Sequence, residues 1–202
     1  MGLDQYITIR HKSTNRSYQK YTDYWNLSEK ERKGKKCPDC PDKDFIVGKW
    51  RKSNQIHKWF VDNIQNGVDD CGRYVITRQD IIKLKELCEK IISFTTKSEK
   101  PAKIYEDGNG VSYECWQVPT YTISEDDLKF VEENLPTQPG FFFGDTMYDD
   151  YYFYDVEESI KKFDFILMTL DMNYWSLYED KKNSDKYTGR WVLEYSSSWW
   201  SN

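Results

Sequence analysis

The stretch KWRKSNQIHKWFVDNIQNG, Lys49 to Gly67, decides the fold class, because it repeats apolar residues at a helical period between segments that alternate like strands. At 100° per residue, Ile56, Trp59, Phe60 and Ile64 gather on one side, the expected core face. Arg51, Gln55, Lys58, Asp62 and Gln65 share the opposite, solvent side. Trp50, Asn54, His57 and Val61 fall on the boundary, where an indole, an amide and an imidazole could wall a pocket. A histidine on such an edge equally suits a buried, hydrogen-bonded structural role. Gly67 stands where a helix ends on a residue free to take positive φ.

Working outward, Leu3 to Arg10 alternates like a strand, and residues 11–44 form an irregular polar loop carrying the basic run EKERKGKK. Phe45 to Val47 is short and apolar, and RYVITR is a strand. Thr77 caps the helix RQDIIKLKELCEKIISF, with Asp80 in the capping-box place. AKIYEDGNGVSYECWQV is a hairpin with a Gly-rich turn. Ser124 caps EDDLKFVEENL, which stops before Pro136. A helix runs from about Val156 to Leu170, residues 171–188 are polar, and GRWVLEYSSSWW closes as a strand. Without a regular βαβ beat, the expectation is α+β: a small mixed or antiparallel sheet with three to four helices packed on it, one domain over 1–202.

Hydrophobic residues are 38% of the chain and aromatics 17%, so Tyr, Trp and Phe supply the volume that aliphatic residues lack. Such rings serve ligand walls and interfaces as well as cores. The net charge of -5 argues against a long nucleic acid as partner. Residues 1–58 carry 14 Lys/Arg against 7 Asp/Glu, the remainder 15 against 27, which makes a field across one face if the halves stay segregated. No apolar run approaches the roughly 20 residues of a membrane span. The start has no signal-peptide core, and Tyr6 stands where a myristoylation signal wants Ser or Thr, so the expected location is the cytoplasm. Five scattered cysteines fit reduced thiols. Cys37 and Cys40 form a lone CPDC, a weak zinc candidate beside a plain turn stabilised by Pro38 and Asp39.

The candidate site is drawn from two blocks. In NGVDDCGRY, Asp69 and Asp70 sit between glycines and could bind a cation, accept from a base or ribose, or cap a turn. In LPTQPGFFFGDTMYDDYYFYD, Leu135 to Asp155, Pro139-Gly140 signals a turn with the glycine free to take positive φ, and Gly144 ends the segment in the same permissive way. An extended GFFFG would send Phe141 and Phe143 one way and Phe142 the other, leaving rings beside Tyr148, Tyr151 and Tyr152. Aromatic faces stack on nucleobases, Thr137 and Gln138 could read a base edge, Arg51 and Lys58 (with Lys52) could neutralise phosphate, and Asp145 lies alongside. The expected ligand is a small nucleotide, with no cofactor. Contact between the blocks 49–72 and 135–155 is therefore expected. With two histidines and no Walker, GxSxG or Rossmann pattern, enzyme chemistry has little support.

The blocks GKWRKSNQIHKWFVDNIQNGVDDC and LPTQPGFFFGDTMYDDYYFYD, the Ser-Ser-Trp near the end and the Met-Gly-Leu-Asp start leading to Tyr6 together resemble a family of small proteins of tailed bacteriophages and prophages. The likeness covers about half of the chain and leaves out residues 11–44, with Cys37 and Cys40. It implies a phage origin and a role in the infected cytoplasm, and it transfers no catalytic residue. By analogy with phage proteins that trap nucleotide immune signals, a sponge is the leading expectation. An acidic aromatic protein blocking a host enzyme by contact is the alternative, and a nucleotide-processing enzyme using Asp69, Asp70 and His57 the third. A homo-oligomer is compatible with each.

Overall fold

The alternation of DQYITIRHK puts Gln5, Ile7 and Ile9 on one side of strand β1 (Asp4–Lys12), and these three are buried. The computed structural model describes residues 2–12, 23–36, 43–106, 112–172 and 190–199. Cys37, Cys40 and most of the polar stretch 171–188 lie outside them.

β1 lies between β2 (Lys43–Arg51) and β8 (Arg190–Ser198), and β8 also pairs with β3 (Arg73–Ile76). All pairings in this four-stranded sheet, ordered β2-β1-β8-β3, are antiparallel. Strands β4 (Thr96–Ser98) and β7 (Thr120–Thr122) form one small ribbon, and β5 (Lys103–Glu106) and β6 (Ser112–Cys115) the expected hairpin. The helices are α1 (Asn54–Asn63), α2 (Arg78–Ser93), α3 (Glu125–Asn134) and α4 (Asp150–Asp171), beside helical turns at 23–26 and Glu29–Arg32 inside the expected loop. The fold is mixed α+β.

One core joins Ile7, Ile9, Leu193 and Tyr195 of the sheet to Phe60 of α1, Leu84 and Ile91 of α2, Val131 of α3 and Phe163 and Ile166 of α4. Phe60 stacks on Tyr195 with centroids 3.8 Å apart, a pairing that adds about 0.5–1.5 kcal/mol beyond area burial. Gly48 is needed where α4 crosses β2, because a Cβ there would lie 2.8 Å from the Trp50 ring and 2.9 Å from Ile166. On the opposite face, Arg10 and Arg73 reach the buried Glu194 at 3.7 and 3.8 Å, with Asp44 beside both. The basic front and acidic back of the chain thus share one sheet.

Several local expectations hold. Thr77 and Asp80 form the reciprocal capping box, and Ser124 accepts from the Asp127 amide. Gly67, at φ 77°, closes α1 by donating to the Val61 carbonyl. Others need correction. Lys49, Trp50 and Arg51 belong to β2, not to the helix, because pairing with β1 (Trp50 opposite Gln5) outweighs local helical period. Lys52, at φ 59°, makes the break between strand and helix. Gln55 and Gln65, expected in solvent, are buried, since α1 is covered on more than its apolar side. GFFFG is a turn rather than an extended segment, with the Phe143 amide donating to the Gly140 carbonyl at 3.1 Å. Gly140 does not use positive φ; its missing Cβ makes room for the Phe143 ring. The last long helix begins six residues before Val156, capped by Asp149.

Candidate functional site

The two blocks do meet. Asn54, at the start of α1, donates to the carbonyls of Asp145 (2.7 Å) and Phe143 (3.3 Å) and accepts from the Gln138 amide (3.1 Å). The Leu3 amide donates to the Phe142 carbonyl, and the Lys52 amide to the Leu3 carbonyl, so the chain start is clamped between the blocks. Behind this clamp His57 is fully buried. Its Nε2 lies 2.9 Å from Asp69 Oδ2 and its Nδ1 2.7 Å from the Tyr195 hydroxyl, which is 3.1 Å from Gln5 Oε1. Asp69 also accepts from Trp199 Nε1 at 3.1 Å and from Gln138 Nε2 at 3.3 Å. Burial pushes the His57 pKa below its ordinary value, against the hydrogen bond and charge of Asp69, so the imidazole is held neutral with its proton on Nε2 toward the carboxylate. The Tyr195 hydroxyl, driven well above its ordinary pKa by burial and by Asp69, keeps its single proton to share between Nδ1 and Gln5.

Most sequence-expected site residues are therefore used up inside the fold. Trp50 is buried and donates to Ser159 Oγ at 2.9 Å. Phe143 is buried with its ring edge-on to His57, 5.3 Å between centroids. Asp70 caps its turn by accepting from the Gly72 amide and the Tyr74 hydroxyl. Thr137 bonds Tyr148 and the Thr146 carbonyl. Lys58 pairs with Asp62 one turn along α1, away from the clamp. At the apex of the Phe turn, Phe141 is 95% exposed and stacks edge-on with Phe142.

Open surface lies to either side of the first turn of α4. The larger cleft, about 500 Å³, runs between that turn and the β5–β6 hairpin. Tyr105, Trp116 and Tyr151 bring rings that remain 45%, 60% and 69% exposed, and Tyr148 adds a fourth. Lys100 and Lys103 stand in the same cleft. Lys100 is 2.6 Å from Asp150, whose pKa it lowers, helped by the Tyr121 amide. The smaller cleft, about 360 Å³, takes in Arg51, Asn54, Gln55, Asp145, Tyr151, Tyr154 and Asp155. Arg51 is already paired with Asp4 at 3.1 Å. Tyr151 and Asp149 belong to both clefts.

Of the residues lining the larger cleft, the sequence pattern singles out Tyr148 and Tyr151 and not Lys100, Lys103, Tyr105 or Trp116. The hairpin was legible, and rings at both of its ends were the available signal; only the tertiary packing sets them opposite α4. No group of His, Cys, Asp and Glu among the described residues is placed to hold a metal ion, and no described helix is long and apolar enough to cross a membrane. Comparison of the chain with protein-family models, curated proteins and solved structures finds no match.

Proposed function

We propose that the protein binds a small nucleotide-type ligand in the larger cleft and holds it without cleaving it. The observation that carries this is the trio of exposed rings, Tyr105, Trp116 and Tyr151, around one 500 Å³ cleft that also holds Lys100 and Lys103. A base stacked on such a ring gains roughly 1–3 kcal/mol, and an ammonium group meets phosphate oxygens. On this reading the ligand lies beside the α1–Phe-turn clamp rather than within it. Taken with the resemblance to tailed-phage proteins, the ligand is a nucleotide immune signal of the host and the protein a sponge in the infected cytoplasm.

Turnover through His57, Asp69 and Asp70 has less support, since His57 has no exposed surface and Asp70 is engaged in its turn. A second reading, docking onto a host protein, is favoured by one feature, the nearly fully exposed Phe141 beside the acidic segment Asp145–Asp150. The deciding experiment incubates the protein with nucleotide extract from infected cells, re-isolates it, denatures it and identifies what is released by mass spectrometry. An intact nucleotide is expected. A converted nucleotide would establish the enzyme, and a host protein retained with no nucleotide would establish the blocker.

A further inference from the structure

The larger cleft holds little spare positive charge. Its lining brings two cations, Lys100 and Lys103, and two acids, Asp149 and Asp150, from the start of α4. Lys100 is committed. Its ammonium lies 2.6 Å from Asp150 Oδ2, while Asp150 Oδ1 accepts from the Tyr121 amide at 2.9 Å. Lys100 and that amide together hold the Asp150 carboxyl below its usual range, so the pair stays ionised. Lys103, on β5 opposite Cys115 of β6, has no hydrogen bond or ion pair with a described residue. Asp149 Oδ1 accepts from the amides of Tyr151 and Tyr152 at 3.0 and 3.1 Å. The amides at a helix start are a common seat for phosphate, and here a carboxylate already occupies them. One ammonium, that of Lys103, is therefore left for a ligand, in the same cleft as the Asp149 carboxylate.

We propose that this cleft selects a nucleotide whose phosphate is a diester over one that ends in a free monophosphate or triphosphate, with Lys103 as the phosphate ligand and Asp149 as the residue that rejects further charge. This selectivity rests on the nucleotide reading proposed above and names the kind of nucleotide. A diester phosphate carries a single negative charge, which one ammonium matches through a charge-assisted hydrogen bond. A terminal monoester carries about −1.5 to −2 charges at pH 7, and a triphosphate more. That excess meets the Asp149 carboxylate and finds no second unpaired cation among the described residues of the cleft. Lys100 reaches it only by leaving Asp150, which exposes another carboxylate in the same space. The exposed rings of Tyr105, Trp116 and Tyr151 stack a base whatever its phosphate bears, so the phosphate decides between the classes. An uncompensated like charge set against one of two otherwise similar ligands is a direct route to specificity.

Calorimetry on the full chain with cyclic AMP, the dinucleotide ApA, AMP and ATP, at matched ionic strength and without divalent cations, tests it. Both diesters should bind at least about tenfold more tightly than ATP, with AMP between them. Asp149→Asn should narrow that gap by strengthening ATP binding severalfold. Asparagine serves as well as aspartate at a helix N-cap, so α4 keeps its start. Lys103→Ala, on an exposed strand, should weaken the diesters about tenfold. Where circular dichroism shows a variant misfolded, the ranking of the four ligands on the parent decides. ATP or AMP bound as tightly as the diesters, a gap unchanged in folded Asp149→Asn, or diester affinity unchanged in folded Lys103→Ala would each overturn the selectivity and leave the nucleotide reading standing. No saturable heat from any of the four ligands would overturn the nucleotide reading and the selectivity with it.

Discussion

At the joint between α1 and the Phe turn, Asn54, His57, Asp69 and Gln138 are buried or half-buried, and each meets at least one partner within 3.3 Å. Around the first turn of α4, Tyr105, Trp116 and Tyr151 keep their faces in solvent. Both regions are built of amides, carboxylates and aromatic rings. In the first, hydrogen bonds among the polar groups hold three chain segments together, with Gln138 Oε1 left as a buried oxygen that has no partner among the described residues. In the second, the rings keep much of their surface in solvent while the charged groups beside them pair with one another, as Lys100 does with Asp150. Residue type thus sets what a group can do, and its burial sets whether it does it for the fold or leaves a face open to a ligand.

The sharpest way to break this comparison is Asn54→Ala. It leaves the Gln138 amide and the Asp145 and Phe143 carbonyls without their partner in a buried place. We expect a loss of roughly 2–4 kcal/mol of stability, measured by urea denaturation. In protein that remains folded, nucleotide affinity at the larger cleft should be unchanged. A variant as stable as the parent but unable to bind would move the ligand into the joint.

Trp116→Ala should behave in the reverse way. The ring is mostly exposed and touches Tyr154 at 5.2 Å between centroids, so stability should change by about 0.5 kcal/mol or less. Losing one stacking face should cost roughly 1–3 kcal/mol in nucleotide affinity, about ten- to a hundredfold. Titration followed by calorimetry reads the affinity, with denaturation as the companion measurement. Equal affinity in parent and variant would remove the central support for the nucleotide reading.

The joint should also respond to acid. His57 is neutral when folded because burial lowers its pKa, while the unfolded chain protonates near pH 6.5. Below that point the unfolded state binds more protons, so stability should fall as pH drops toward the lowered folded value, at most about 1.4 kcal/mol per pH unit. Asp155 gives the opposite sign: its folded pKa, raised by burial, contributes stability that is lost as pH rises through that value. The dependence of denaturation midpoints on pH between 5 and 7 should therefore flatten in His57→Gln. A slope untouched by His57→Gln would place the titrating group elsewhere.

Much of the fold was legible because local signals agreed with the outcome. Thr77 with Asp80, Ser124 with Asp127, and Gly67 are read from residue type and spacing, and the hairpin from its turn. Trp50 was misread as helical because Lys49–Arg51 continue the helical period, while the strand residues that claim them, Tyr6, Gln5 and Asp4, lie far back in the sequence. The Phe turn misled for a similar reason: Gly140 is there to clear a ring, which no pattern of φ preference reveals. At the site, proximity of the two blocks was legible and its meaning was not. The count of partners around Asn54 and His57 depends on Tyr195, Trp199 and Asp145, which come from distant segments. Lys100 and Lys103 gave no sign of standing in one cleft with the first turn of α4.

The smallest effect is expected at Arg51, and it separates the two regions most cleanly because sequence alone favours it as the phosphate ligand. Its guanidinium sits at the edge of the smaller cleft and contacts both oxygens of Asp4, at 3.1 and 3.2 Å. The side chain is more than half exposed, so the pair is worth at most about 1 kcal/mol and is screened by salt. Recruiting Arg51 to a phosphate would first break that pair, and the larger cleft does not include it. Arg51→Ala should thus lower stability by about 1 kcal/mol or less and leave nucleotide affinity within twofold of the parent. Lys100→Ala in the larger cleft should weaken binding, and more so at low salt than at high salt, since screening acts on the charge it removes. The check is calorimetry of both variants at two salt concentrations. If Arg51→Ala instead costs affinity that salt abolishes while Lys100→Ala costs none, the anion lies in the smaller cleft, and the division drawn between the two clefts is reversed.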